Sequence, residues 1–250
     1  MAGFDTASYV YDVRVAAVNA FGTPNFWLRY FSPCQTTAFN ANWTNATSES
    51  RAIWDSGGPK LGPITVPAQS RLSGTTAMGQ ADAQTLGNAL HNTWLNIGPL
   101  QLPTNGQLWC WLDQEPGTGL TLAYWNGWSG TIDGYNWGGS GQLPLYPCMY
   151  TDPCNPQPNC SIVGRSDANW CFSIWAYHPS RCNYNNRNPP PWAANTCSGC
   201  APSYPRTPTH LWQYAYPSCG YSGNPSLNVD QDLGGGITYG NYCFYLSSRP

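Results

Sequence analysis

The chain has 250 residues, of which 41% are hydrophobic, and its mean hydropathy is −0.41. Only 10 residues are basic and 12 are acidic, so the basic stripe typical of nucleic-acid binders is missing and we predict no nucleic-acid partner. No segment approaches the roughly 18 consecutive apolar residues of a membrane helix, so we also predict no membrane partner.

Short apolar segments alternate with helical or loop stretches along the chain, which is the pattern of an α/β protein. Eight strands are predicted over 3–5, 26–31, 61–66, 107–112, 143–146, 171–177, 210–214 and 227–230. Helices are predicted over 12–21, 48–55, 77–96 and 120–128, with Glu49 on the surface of the second, and an extra strand over 240–246.

Eight strands with intervening crossovers predict a (β/α)8 TIM-type barrel. No linker or internal repeat divides the chain, so we predict a single barrel domain over residues 1–250. Segments 148–171 and 178–208 contain few helix-forming residues. The barrel is therefore expected to be irregular in its second half.

Eleven cysteines are more than a cytosolic chain normally carries, and seven of them lie between Cys148 and Cys200. We predict a disulfide-stabilised Cys-rich insertion at about 148–208, with Cys110 as the thiol left over by the odd number. Cys197 and Cys200 have zinc-like spacing, but no second pair completes a site, so no metal and no cofactor are predicted. The cysteine content leads us to expect an extracellular protein whose leader peptide has been removed.

Acidic residues are rare in this chain, yet five of the 12 fall at three predicted strand ends. Asp113 and Glu115 follow the fourth strand, Asp230 and Asp232 the eighth, and Asp5 ends the first. Residues i and i+2 of a strand share a face, and reactive groups of a barrel lie at the C-terminal ends of its strands. Clustered carboxyls raise each other's pKa, so one stays protonated near neutral pH and serves as an acid for glycosidic cleavage. The alternative is that these acids cap helices or bind loop amides.

Thirteen tryptophans and 16 tyrosines are more than a core of this size requires. Aromatic faces stack on sugar rings, and a surface rich in aromatic and neutral polar residues suits neutral glycans. The hydrophilic setting of four tryptophans predicts partial exposure, with core filling as the open alternative: Trp125, Trp128, Trp137 and Trp192.

Several short motifs resemble known enzymes in the same order along nearly the whole chain. Gly3-Phe4-Asp5-Thr6, Asp113-Gln114-Glu115, Ile174-Trp175-Ala176-Tyr177, Leu211-Trp212-Gln213-Tyr214 and Val229-Asp230-Gln231-Asp232 resemble motifs of the family-25 glycoside hydrolases, the barrel lysozymes. Arg29-Tyr30, and the run from Thr47 through Gly58 into Leu61-Gly62-Pro63-Ile64, are similar to a related glycoside-hydrolase-like family long catalogued as a domain of unknown function.

This resemblance implies a carboxylate-lined groove in which Glu115 is the general acid and Asp113 positions a substrate acetamido group. Asp5 and Asp230 would bind or polarise substrate and water. Residues assigned to substrate binding are Tyr146, Trp175, Trp212, Trp111, Arg29 and Asp232.

We therefore expect a secreted, monomeric O-glycosyl hydrolase, lysozyme-like, that acts on an N-acetylated or other neutral polysaccharide without a cofactor. Two alternatives stay open. A barrel that binds polysaccharide without cutting it would hold its acids in salt bridges, for example to Arg29. A structural secreted protein with a retired active site would have loop 148–171 closed over the groove.

Overall fold

Strands and helices alternate through the first half of the chain. The computed structural model describes residues 1–34, 37–39, 48–57, 60–96, 100–101, 106–115, 117–136, 144–152, 162–169, 171–177, 183–192, 209–215, 227–235 and 242–246. Its elements are β1 (Ala2–Thr6), α1 (Val10–Phe21), β2 (Trp27–Cys34), α2 (Glu49–Asp55), β3 (Lys60–Val66), a 3-10 turn (Gln69–Arg71), α3 (Thr76–Asn96), β4 (Leu100–Gln101), β5 (Leu108–Asp113), α4 (Leu122–Asp133), β6 (Leu145–Thr151), β7 (Ile174–Tyr177), β8 (Thr209–Ala215), β9 (Asp230–Gly234) and β10 (Phe244–Leu246).

Eight of these strands close into a barrel in the order β1, β2, β3, β5, β6, β7, β8 and β9, with β9 returning to β1. Neighbours from β1 through β8 run parallel. Strand β9 runs antiparallel to both β8 and β1. The protein is therefore a mixed α/β fold with a closed eight-stranded barrel, in which one strand departs from the all-parallel arrangement that the sequence predicted.

The element positions agree with the sequence best where hydrophobic periodicity is regular, as in α1, α2 and α3. The fifth strand, predicted over 143–146, corresponds to β6, which is longer and continues to Thr151. The eighth, 227–230, is displaced, because β9 begins at Asp230. The extra strand β10 lies beside β3 and β4 and outside the ring of eight.

Helices α3 and α4 cover the outside of the barrel and cross at two glycines. A Cβ on Gly79 would lie 2.2 Å from the Tyr124 carbonyl oxygen, and one on Gly127 would lie 2.1 Å from that of Thr76. Trp125 and Trp128 of α4 are fully buried, which corrects the partial exposure predicted for them, and the Trp125 indole N–H is donated to the Asn169 carbonyl oxygen at 3.0 Å. Trp192 is 41% exposed, as predicted, and Trp137 lies outside the described residues.

A buried ion pair joins β2 to α2. The Arg29 guanidinium donates to both carboxylate oxygens of Glu49, with Nε to Oε1 at 2.6 Å, and to the carbonyl oxygens of Thr6 and Thr37. Glu49 Oε1 also accepts the Val10 backbone N–H at 3.0 Å. Both side chains are fully buried, so Glu49 is a core residue and the surface position predicted for it is wrong.

Five cysteines are described, Cys34, Cys110, Cys148, Cys171 and Cys243, and of these Cys110 and Cys148 are free thiols. Cys110 is buried, and burial raises the pKa of its thiol. The predicted disulfides therefore do not involve Cys110 or Cys148. The cysteines other than these five, including the Cys197 and Cys200 pair, lie outside the described residues. None of the described helices combines the length and apolarity needed to cross a membrane.

Candidate active site

Alternate residues of each barrel strand fill the interior. On β5, Trp109 and Trp111 belong to the interior apolar cluster, whereas Cys110 and Leu112 pack on the outer side among the helices. Asp113 continues the inward series at the C-terminal end of the strand. It is buried, so the strand delivers a carboxyl to one mouth of the barrel.

The reversed strand brings two further carboxyls to the same region. Asp5, near the end of β1, is paired in register with Asp230 at the start of β9, and Gly3 is paired with Asp232. Side chains directly opposite each other in an antiparallel pair lie on the same face. Asp5 and Asp230 are therefore neighbours, and Asp232 lies one step deeper on the same face.

These three carboxyls are direct neighbours. Asp5 is close enough to share a hydrogen bond with Asp230 on one side and with Asp232 on the other, and Asp232 Oδ1 accepts the indole N–H of Trp175 at 3.0 Å. Carboxyls bond to each other only when a proton lies between them. Burial first, and then the neighbouring charges, raise the pKa of each of the three well above the usual aspartate value.

Asp113 interacts electrostatically with Asp230, and more strongly with Glu115. Burial, followed by the charge of Glu115, raises its pKa well above the usual value, while a hydrogen bond from Tyr30 opposes that rise. Tyr150 is paired in register with Asp113 on β6. Burial and the surrounding carboxylates raise the pKa of both phenols well above the usual value, so both remain protonated donors.

Glu115 lies just past β5 with its side chain exposed, and partial burial raises its pKa above the usual glutamate value. Its backbone is held by Gln69 of the 3-10 turn, which accepts the Glu115 N–H at 3.1 Å and donates to the Asp113 carbonyl oxygen at 3.1 Å. Gln114 donates to the Glu115 and Thr118 carbonyl oxygens. The backbone around Glu115 is therefore anchored through the groups of Asp113, Glu115 and Thr118.

Buried Asp5, Asp113 and Asp232 and half-buried Asp230 each have one side-chain oxygen without a hydrogen-bond partner: Asp5 Oδ2, Asp113 Oδ1, Asp230 Oδ1 and Asp232 Oδ2. No arginine or lysine of the described residues forms an ion pair with any of them or with Glu115. We refer to these five residues as the carboxyl cluster. Within the described part of the protein, four carboxyl oxygens of this cluster are buried and have no hydrogen-bond partner.

Among the predicted substrate-binding residues, three lie with the cluster as buried supports. The Trp175 indole N–H donates to Asp232, and the Trp175 ring packs edge to face on Trp111 with 6.1 Å between the ring centroids. Trp175 is 2% exposed, and Trp111 and Asp232 are fully buried. These side chains therefore shape the floor of the mouth.

The other three predicted substrate-binding residues lie elsewhere, which corrects their assignment. Tyr146 is in register with Trp109, four residues before Asp113 on β5, so it lies about 13 Å away toward the opposite end of the barrel. Trp212 faces outward from β8, because strand residues alternate and its neighbour Leu211 faces inward. It is fully buried in an outer cluster with Tyr214. Arg29 faces α2 and pairs with Glu49.

Sequence reasoning did not assign Tyr30 or Tyr150 to the site. Tyr30 was detectable, because it lies two residues after the inward-facing Leu28. Tyr150 was hidden by the short prediction for the fifth strand, which ended before it. Within the described residues, no group of three or more His, Cys, Asp or Glu side chains is arranged to hold a metal ion.

Comparisons with known proteins bear on the fold. No protein-family model matches the chain, and no curated protein matches it significantly. A similar solved structure is the crystal structure of an uncharacterized protein from B. stearothermophilus, with 20% sequence identity and a TM-score of 0.65. The likeness covers 97% of this chain and 99% of the other. At this identity, the comparison shows that the two proteins share a fold.

Proposed function

We propose that the protein is a glycoside hydrolase that cleaves O-glycosidic bonds of a polysaccharide by carboxyl acid–base catalysis. The observation that carries the proposal is the carboxyl cluster at one mouth of the barrel. It includes Asp113 and Glu115, whose carboxyl groups interact electrostatically and whose pKa values are both raised. Glycosidic cleavage requires one protonated carboxyl and one ionised carboxylate flanking the scissile bond.

We assign these two roles to Asp113 and Glu115, as a pair that shares one proton in the active state. Glu115 is the general acid, because its side chain is exposed and can reach the leaving oxygen. Asp113 is buried, and the Tyr30 hydrogen bond only partly offsets the rise in its pKa that burial and the charge of Glu115 cause. When the shared proton is on Glu115, ionised Asp113 is stabilised by Tyr30 and supplies the negative charge that stabilises the oxocarbenium-like centre or orients the substrate. Asp5 and Asp230 bind substrate or water beside the pair.

A barrel that binds polysaccharide without cutting it is the second candidate. That function needs no protonated carboxyl, and salt bridges would be the usual way to hold several buried acids. The only arginine fully buried among the described residues, Arg29, is paired with Glu49 on the outer side of the barrel. Uncompensated carboxyls with raised pKa values are typical of catalytic sites, so this favours the hydrolase.

The proposal also includes the barrel type, the location, the oligomeric state and the cofactor requirement of the protein. The sequential order of the eight strands supports a relation to the TIM-type (β/α)8 barrel, with β9 as a reversed final strand. The cysteine content supports a secreted protein with disulfides among the cysteines of the 148–208 insertion outside the described residues. We propose that the enzyme acts as a monomer and without a cofactor.

Release of reducing ends from peptidoglycan, chitin and β-glucans tests the activity. The wild type should release reducing ends from one of these, and Glu115→Gln should abolish release while the protein stays folded by circular dichroism. Asp133→Asn is the matched control, since Asp133 is an exposed carboxyl on α4. Full activity of Glu115→Gln would show that Glu115 is not the acid.

A further inference from the structure

We propose that the carboxyl cluster binds a sugar bearing a free ammonium group, so that the preferred substrate is a polysaccharide with unacetylated amino sugars. The inference rests on the proposed function in taking the barrel mouth as the glycan site. It goes further by naming the chemical class of the glycan, which the resemblance to barrel lysozymes left as N-acetylated or neutral.

The charged side chains described at the mouth of the barrel are all acidic. Four aspartates and Glu115 share one region, and within the described chain no cationic side chain pairs with them. A buried carboxylate without a partner is costly, and the protein lowers that cost by keeping protons on the cluster. A ligand cation would lower it in another way, by supplying the missing positive charge.

The unpaired oxygens point to a ligand rich in donors. Asp5, Asp113 and Asp232 are at least 98% buried, and each retains a carboxyl oxygen with no hydrogen-bond partner. An ammonium group offers three N–H donors and no acceptor, which complements carboxylates. An acetamido group offers one N–H donor, and its carbonyl oxygen would face further oxygens.

The walls of the mouth suit an ammonium group on an apolar ring. Tyr150 packs edge to face on Trp175 with 4.5 Å between the ring centroids. Trp175 donates to Asp232, and Tyr150 is paired in register with Asp113, so both rings lie beside the carboxyls. Aromatic faces attract cations and also contact sugar C–H groups. A mouth built of carboxyls and aromatic rings therefore binds both parts of an amino sugar.

Proton release distinguishes this ligand from the others. An ammonium group that enters a partly protonated cluster favours the ionised carboxyls, so binding should expel protons. A neutral sugar should expel few. Titration calorimetry in buffers of different ionisation enthalpy measures the number of protons released.

The experiment compares oligomers of equal length made of glucosamine, N-acetylglucosamine and glucose, with the intact chain at neutral pH. We expect the glucosamine oligomer to bind at least about 10-fold more tightly, equivalent to about 1.4 kcal/mol. We also expect it alone to release protons and to lose affinity as salt is added. Asp113→Asn and Asp230→Asn should each reduce the preference, whereas the exposed Asp133→Asn should leave it unchanged.

The outcomes separate this inference from the proposed function. Tighter binding of the N-acetylated oligomer, with Glu115-dependent cleavage, would overturn the ammonium inference and leave the hydrolase intact. Proton-linked glucosamine binding without cleavage of any polymer would support the ligand class and contradict the hydrolase. Equal affinity for all three oligomers would overturn the inference as well. If Asp113→Asn fails to fold, Asp230→Asn alone provides the test.

Discussion

Asp5 lies directly opposite Asp230 in the antiparallel pairing of β1 with β9. In an all-parallel barrel, the start of the last strand would lie at the far end from the C-terminus of the first. The reversal of β9 instead places its first residue at the mouth where β1 and β5 end. The strand direction is thus what joins Asp230 and Asp232 to Asp5 and Asp113.

Gln69 should position the catalytic pair. Because its side-chain amide holds both the Asp113 carbonyl and the Glu115 N–H, Gln69→Ala should misplace the acid and lower kcat by about 10-fold to 100-fold, with less effect on KM. Steady-state kinetics measures this. Gln84→Ala, which removes an exposed amide on α3, is the control and should leave kcat unchanged. An unaltered kcat in Gln69→Ala would show that the clamp does not position the pair.

Tyr30 should set the acidic limb of the pH–activity profile. Its hydrogen bond favours the ionised form of Asp113, so Tyr30→Phe should raise the pKa of Asp113 further. The singly protonated pair would then form only at higher pH, and the acidic limb of kcat/KM should move to higher pH. Tyr135→Phe removes a phenol on the outside of the barrel and should not move it. A shift in the opposite direction would contradict the assigned hydrogen bond.

The buried ion pair should be structural. Arg29→Met leaves the Glu49 carboxylate buried without its partner and should lower the free energy of unfolding by about 3–5 kcal/mol. The double variant Arg29→Met, Glu49→Leu removes both charges and should recover much of that loss. Urea denaturation of both variants measures the difference. Equal destabilisation by the single and double variants would show that the unpaired charge is not the cause.

The carboxyl cluster should make the fold less stable as pH rises. The pKa of Asp232 is raised in the folded state, mainly by burial, so the folded protein binds more protons than the unfolded chain. Its stabilising contribution is present below the unfolded value of about 3.9 and is lost as pH rises through the folded value.

Asp232→Asn should therefore flatten the dependence of unfolding free energy on pH and make the protein more stable than wild type at neutral pH. The asparagine carbonyl can still accept the Trp175 indole N–H. Thermal unfolding across pH values measures this, with Asp133→Asn as the exposed control. A wild-type stability that increases from acid to neutral pH, relative to Asp232→Asn, would contradict the raised pKa.

Much of this arrangement was predictable from short-range patterns. Alternation within β5 and the scarcity of acids led to Asp113 and Glu115, and the apolar periodicity of α1 and α3 located both helices. The grouping of Asp230 with Asp5 was also expected, although from a strand predicted to end at Asp230. The structure has β9 beginning there and running the other way.

The rest depended on contacts between distant segments. The burial of Glu49 is caused by Arg29, which is 20 residues away and faces outward from β2. The indole N–H of the fully buried Trp125 is donated to the carbonyl oxygen of Asn169, 44 residues away, and α3 and α4 cross closely at Gly79 and Gly127. Neither the partner of a charge nor the distance between two helices is contained in a local pattern, so the exposure of these residues was mispredicted.

The central claim is that distant carboxyls converge and alter each other's protonation, and an NMR titration of the Asp113 side-chain carboxyl tests it most directly. We predict that the pKa of Asp113 lies well above the ordinary value of about 3.9 and falls in Glu115→Gln, because the neighbouring charge is removed. An Asp113 pKa near the ordinary value, or one that Glu115→Gln leaves unchanged, would contradict the claim.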